Sequence, residues 1–258
     1  MAVGACDNME LKHQIKHYWQ DKQPNKWYSD RQKYQSDREY YEAIEKKKYE
    51  YFYPHIKLMA EFDQHKNEKI LEVGIGMGID LLQYAKNGAV CYGIDLTEGA
   101  IEETKKLFQA FSLNADLQVM DAETLQFEDN TFDLVCSFGV LHHTPNTQKA
   151  INEIFRVLKP KGKAIILLYS KSWQHYAIMV GIAGIIGLEL LKMSMQELIN
   201  KYSEAYGFSP LTKLYSKKEI KQMFSSFKDV EISHFHYQNN FFQRRYLQGN
   251  WIIKAVKK

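Results

Sequence analysis

The residues with the most chemical content lie in short stretches that follow one another along the chain. Gly74-Ile75-Gly76-Met77-Gly78 comes directly after an apolar run, and Glu72 precedes the first glycine by two places. Glycines there let the backbone approach a ligand closely, and the helix expected beyond them offers oriented N–H groups. A dinucleotide fingerprint reads G-x-G-x-x-G/A, whereas here the third glycine comes one place early and Ile79 holds the sixth position. A carboxylate at Glu72 repels phosphate and receives an ammonium group instead. Both details favour a cationic ligand. Asp95 follows the first glycine by about 20 residues, where an acid grips ribose hydroxyls. It marks a nucleoside without choosing between cofactors. Asp121-Ala122-Glu123, with Leu125-Gln126-Phe127 after it, sets a polar acceptor beside apolar groups, a place for an adenine.

His142 and His143 follow the fourth expected strand, over the cleft where open α/β sheets bind ligands. An imidazole that titrates near neutrality suits removal of a proton from a hydroxyl or an ammonium group. Adjacent side chains point different ways, so one of the pair is expected to face a substrate; the sequence leaves open which. Tyr169 ends the fifth expected strand on the same rim and begins a Tyr-rich stretch with Trp173, His175, Tyr202, Tyr206 and Tyr215. Aromatic faces attract cations, and packing in a core or lid is the competing role for most of these rings.

Short apolar runs alternating with amphipathic stretches must position these groups, the sequence form of βαβ units and a mainly parallel sheet. Strands are expected at 69–73, 90–94, 116–119, 132–137 and 163–169, with helices at 79–87, 98–112 and 147–158. Lys159-Pro160-Lys161-Gly162 is expected to close the last of these helices. The alternation breaks at Ser170–Tyr215 and resumes with a helix at 217–224 and strands near 229–236 and 251–256. Upstream, residues 11–62 read as an irregular aromatic arm and then a helix over 37–52 that resumes after Pro54, with Glu45-Lys46-Lys47-Lys48 as a solvated face.

A chain of 258 residues supports one large α/β domain with a sizeable core. With 34 Lys and Arg against 31 Asp and Glu the net charge is +3, too small to mark a nucleic-acid binder. Cys6, Cys91 and Cys136 are far apart and odd in number, which fits neither a disulfide framework nor a zinc site, so no metal and reduced thiols in the cytoplasm are expected. The N-terminus lacks a basic region followed by an apolar run, so no secretory signal is expected. The apolar run Tyr176–Leu191 falls short of the roughly 20 residues of a spanning helix. It reads as a buried or lid helix, with peripheral membrane association as the alternative.

Taken together, ILEVGIGMG, YGIDLT, DAETLQF, FDLVCSFGVLHHTP and EIFRVLKPKGKAIILLY resemble the successive motifs of the class I S-adenosylmethionine-dependent methyltransferases, in the small-molecule and ubiquinone-biosynthesis-type group. The resemblance runs from Lys69 to Tyr169. It implies a Rossmann-like fold with a seven-stranded, mostly parallel sheet and an antiparallel last strand. It also implies S-adenosyl-L-methionine as cofactor and S-adenosyl-L-homocysteine as product. Glu72, Gly74, Gly76 and Gly78 then face the amino acid part of the cofactor, Asp95 with Leu96 the ribose, and Asp121, Ala122 and Glu123 the adenine. Ser137 and Phe138 approach the methionine portion. In related small-molecule enzymes a His from a pair like His142-His143 is a candidate general base.

Two segments lie outside the sheet unit: residues 1–62, and the insertion 170–215 within the methyltransferase domain 63–258. By elimination they are expected to close over the cofactor and form the acceptor site, with Tyr18, Trp19, Trp27 and Tyr28 capping the cofactor. The expected activity is methyl transfer to nitrogen or oxygen of a small metabolite, by a monomer or homodimer without nucleic acid. Carbon methylation of a quinone or other lipid-like acceptor is the alternative. A nicotinamide-dependent oxidoreductase and a non-catalytic cofactor-binding regulator are the rivals, the first disfavoured by the glycine spacing and Glu72.

Overall fold

The computed structural model describes residues 3–21, 30–171, 193–202, 209–235 and 249–258. Its centre is a seven-stranded sheet in the order β3-β2-β1-β4-β5-β7-β6. The strands are β1 Lys69–Val73, β2 Val90–Asp95, β3 Asp116–Val119, β4 Phe132–Phe138, β5 Leu158–Tyr169, β6 Phe227–Phe235 and β7 Asn250–Lys257. The pairs among β1 to β5 are parallel, and β7 runs antiparallel to both β5 and β6. This is the sheet the motif order implies. β1 is the pivot: β2 lies on one side of it and β4 on the other, which opens a crevice beyond their carboxyl ends.

Both faces of the sheet are covered, as a parallel sheet requires. Along β5 the side chains alternate: Ile165 and Leu167 enter one core with Ile70, Leu134 and Cys136, whereas Ala164, Ile166 and Leu168 enter the other with Leu71, Val73 and Val135. The first core is closed by α2 Asp37–Lys47, α4 Ile79–Lys86 and α5 Glu98–Ala110, through Tyr41, Ile44, Leu81, Leu82, Leu107 and Phe108. The second is closed by α6 Thr147–Val157 and α8 Lys217–Met223, through Ala150, Ile151, Ile154 and Ile220. Side chains start these helices by accepting the first free N–H groups: Thr97 for α5, Asn146 for α6, and a reciprocal Ser216–Glu219 pair for α8.

Several elements differ from the sequence reading. The N-terminal arm is a helix, α1 Val3–Asp21, where irregular chain was expected. Its periodicity is hidden because one stripe, Lys12, Lys16 and Gln20, bonds polar groups of the main domain instead of burying apolar side chains. The helix at Asp37 ends in a π-helical turn, Lys48–Phe52, and restarts as α3 Pro54–Met59, where proline sits at a position needing no N–H donor. β5 begins at Leu158, ahead of the expected Lys163. Phe132 pairs with Leu158 and Leu134 with Lys163, so Lys159-Pro160-Lys161-Gly162 is an excursion within the strand. Tyr40, Tyr41, Ile44 and Tyr49 share the core of Ile70 and Leu134.

Between β5 and α8 the described residues include α7 Met195–Tyr202 and a strap over 209–215 whose Tyr215 bridges Ser170. The run Tyr176–Leu191 lies outside the described residues, and so do Trp27, Tyr28, Trp173, His175 and Tyr206. Among the described residues no helix is long and apolar enough to cross a membrane.

Candidate cofactor and acceptor site

The crevice at the carboxyl ends of β1, β2, β3 and β4 is a cavity of about 250 Å³. The glycine loop forms its floor, and its three glycines have three different tasks. All take positive φ, +79° at Gly74, +53° at Gly76 and +73° at Gly78, which other residues adopt with strain. A side chain at Gly74 would meet the Val140 methyls at 2.3 and 2.5 Å, and one at Gly78 would meet Thr104 at 2.4 Å. At Gly76 a Cβ would have nothing within 4 Å. Gly74 and Gly76 line the cavity and Gly78 does not: it is a packing contact between the loop and α5.

Glu72 lines the cavity from the end of β1, 2% exposed, and its Oε2 has no hydrogen-bond partner among the described residues. Burial first, and then the charge of Asp80, holds its carboxyl well above the usual range. Asp80, in the first turn of α4, accepts from Lys48 Nζ at 2.5 Å and from the Tyr49 hydroxyl at 2.6 Å. Lys48 therefore belongs to the site, where the sequence reading had a solvated face. Nothing local signals it, because Lys48 and Asp80 meet only when the π-helical turn packs on α4.

Asp95, partly open to the cavity with Leu96, accepts from Gly76 N through one oxygen, and from the Thr97 N and hydroxyl through the other, at 2.8 to 3.1 Å. Met120, Asp121 and Ala122 continue the wall after β3. Glu123 does not line the cavity. It accepts from the Thr144 hydroxyl, Asn146 N and Lys12 Nζ, and so joins the turn after β3 to the loop after β4. Burial raises its pKa, but these donors outweigh that and hold the carboxyl below the usual range.

Helix α1 lies over the cavity. Ile15 and Trp19 line it, and Lys12 bridges Asp121 at 2.5 Å and Glu123 at 2.7 Å. Lys16 pairs with Glu98, and Gln20 accepts from Gly99 N. Of the expected aromatic cap, Trp19 is placed on the cavity; Lys12 and Ile15 were missed, although their spacing with Trp19 is helical.

The expected catalytic residues separate. His143 lines the cavity, 5.0 Å from Trp19 between ring centres, and its Nδ1 lies 2.7 Å from the Leu211 carbonyl. A carbonyl only accepts, so Nδ1 carries the proton and Nε2 the lone pair. Burial lowers its pKa to about 4 against the opposing effect of that carbonyl. His142 is fully buried, does not line the cavity, and stacks on Tyr169 at 3.7 Å. Neither of its ring nitrogens has a hydrogen-bond partner among the described residues. Tyr169 also stands outside the lining and packs with Ile199 and Leu214. Phe138 lines the cavity, but Ser137 does not: it is fully buried and donates to Val73 O at 2.9 Å, tying β4 to β1.

A parallel sheet pivoting at β1, a glycine loop and carboxylates after β1, β2 and β3 define a nucleoside-cofactor-binding α/β enzyme fold. Residues 71–166 match the family described as a methyltransferase domain. Phosphoethanolamine N-methyltransferase 2 of Caenorhabditis elegans is 32% identical over 121 residues, which are 46% of this chain and 28% of that protein. The ubiquinone biosynthesis O-methyltransferase of Coxiella burnetii is 25% identical over 177 residues, 69% of this chain and 71% of that protein. Among solved structures, the Haemonchus contortus phosphoethanolamine N-methyltransferase 2, in complex with phosphomonomethylethanolamine and S-adenosylhomocysteine, superposes with a TM-score of 0.57. It shares 18% identity, over 80% of this chain and 52% of that one. Residues 71–166 thus carry a methyltransferase domain, and the chain as a whole resembles the class I S-adenosylmethionine-dependent methyltransferases.

Proposed function

We propose that this protein transfers a methyl group from S-adenosylmethionine to nitrogen or oxygen of a small biosynthetic metabolite. The observation that carries the reading is the charge of the cavity. Among the described residues five carboxyl groups line it, Glu72, Asp80, Asp95, Glu103 and Asp121, against two lysines, Lys12 and Lys48, so the acids outnumber the bases even while Glu72 holds its proton. Such a wall attracts a cationic cofactor and repels a pyrophosphate. The residues fit the cofactor: the unpartnered Glu72 Oε2 offers a seat for an ammonium group, and the open space at Gly76 admits a ligand against the backbone.

When bound, S-adenosylmethionine supplies an electrophilic methyl group on a sulfonium. Asp95 is assigned to the ribose hydroxyls, Asp121, Ala122 and Met120 to the adenine, and Glu72 to the amino acid end. Helix α1, fastened through Lys12, Lys16 and Gln20, excludes water and holds the reactants in line. His143 presents a neutral imidazole at the cavity wall, and its Nε2 lone pair takes the proton of the acceptor's O–H or N–H. His142, Tyr169 and Ser137 support that geometry by packing. The reduced, buried thiols of Cys91 and Cys136 accord with a cytoplasmic protein.

The test is methyl transfer from labelled S-adenosylmethionine to pools of phenols and amines, with Asp95→Ala as control. Label transferred by the native chain and lost in the variant supports the reading. Tight binding of a nicotinamide dinucleotide in place of S-adenosylmethionine would overturn it.

A further inference from the structure

Among the carboxylates that line the cavity, Glu72 is set apart by burial together with an oxygen that has no partner among the described residues. It is 2% exposed, and the oxygen is Oε2. The groups that face it can be taken in turn. From α4 comes Asp80, whose two oxygens are taken by Lys48 and Tyr49 of the π-helical turn. From β2 comes Asp95, engaged by Gly76 and Thr97. The Cys91 and Cys136 thiols and the Tyr49 and Tyr84 hydroxyls are all held neutral by burial. Among the described residues Lys48 is therefore the cation that faces the pair, and it stands against Asp80. Beside them Glu72 receives the Leu81 backbone N–H but, among the described residues, no ion pair, and a buried carboxyl with one unpartnered oxygen next to Asp80 keeps its proton. The upward pull on the Glu72 carboxyl, from burial and then from Asp80, agrees with the geometry.

We propose that Glu72 exchanges a proton for the cofactor: its carboxyl is protonated beforehand and ionises as the α-ammonium seats on Oε2, while Lys48, held on Asp80, receives the α-carboxylate. This rests on S-adenosylmethionine being the cofactor. The charges balance. The ammonium, carboxylate and sulfonium bring one net positive charge, and Glu72 releases one proton to solvent. The product keeps the same amino acid end, so its departure requires Glu72 to recover a proton. Capture is favoured as pH rises and product release as pH falls.

The experiment is calorimetric titration of the full chain near neutral pH in two buffers of different ionisation heat. The ligands are S-adenosylmethionine, S-adenosylhomocysteine and 5′-methylthioadenosine, the last of which lacks the amino acid. The first two should release about one proton per bound ligand, with affinity rising about tenfold per pH unit while Glu72 is protonated. Methylthioadenosine should release none. Glu72→Gln, which imitates the protonated carboxyl, should still bind while losing both the buffer-dependent heat and the pH slope. Lys48→Met should weaken the two amino acid ligands and spare methylthioadenosine. Buffer-independent heat with the native chain, or proton release that survives in Glu72→Gln, would overturn the proposal while leaving the cofactor assignment standing. Failure of S-adenosylmethionine to bind at all would remove both.

Discussion

A single methyl group placed in turn at two glycines of one loop should produce two different defects. At Gly74 the new Cβ would lie 2.3, 2.5 and 2.8 Å from Val140 Cγ2, Cγ1 and Cβ, at a φ of +79°. Backbone strain of about 1–2 kcal/mol and overpacking of about 1–3 kcal/mol then give a destabilisation of about 2–5 kcal/mol. For a chain of this size that lowers the melting temperature by roughly 4–20 °C. At Gly76 the φ is +53° and the Cβ meets nothing within 4 Å, so strain of about 1–2 kcal/mol acts alone and the melting temperature falls by less than about 8 °C. Its methyl, however, enters the cavity beside the N–H that Asp95 accepts, and cofactor affinity should fall at least about tenfold. Thermal melts and calorimetry on the same preparations separate the two. Val140→Ala removes two of the three colliding atoms, so the double variant with Gly74→Ala should recover about 1–3 kcal/mol relative to additivity. Equal loss of stability at both glycines, or strict additivity of Gly74→Ala with Val140→Ala, would refute the reasoning.

His143→Gln should lower kcat by about 10²–10⁴ with cofactor affinity nearly unchanged by calorimetry, whereas equal loss of both would mean a structural role. His142→Phe should keep activity and raise stability by about 1 kcal/mol in urea melts, because two unpaired buried nitrogens are removed; loss of turnover would return His142 to the catalytic set. Burial holds His143 at about 4 against an ordinary 6.5. The unfolded chain therefore gains this proton first as pH falls. Stability is full above about pH 6.5 and declines towards about pH 4, by up to about 3 kcal/mol for this residue; denaturant midpoints at about pH 7 and about pH 5 would show the slope, and a flat profile would contradict it. Lys12→Ala should release α1 from Asp121 and Glu123, speeding cofactor dissociation about tenfold in stopped flow while shifting the melting temperature little; an unchanged off-rate would remove Lys12 from the closure.

Lys12 and Lys48 show where reading from sequence stops. Lys48 was one more lysine in a charged run and Lys12 one residue of an arm read as irregular, and each became a site residue only when its helix was laid against acids 32 or more positions away. Gly78, Glu123 and Ser137 show the opposite limit. They occupy motif positions, yet the fold turns them to α5, to the loop after β4 and to Val73 O.

The sequence by itself determined the strand and helix alternation, the glycine loop and the acids at Glu72, Asp95 and Asp121. These are local matters: side-chain period, glycine conformational freedom, and the few residues between a strand and the next helix. Tertiary structure decided which of two adjacent histidines meets the cavity, what α1 covers, and which cation answers which carboxylate. Those depend on the direction of a side chain leaving a packed element and on contacts between distant segments, and neither is written in spacing along the chain.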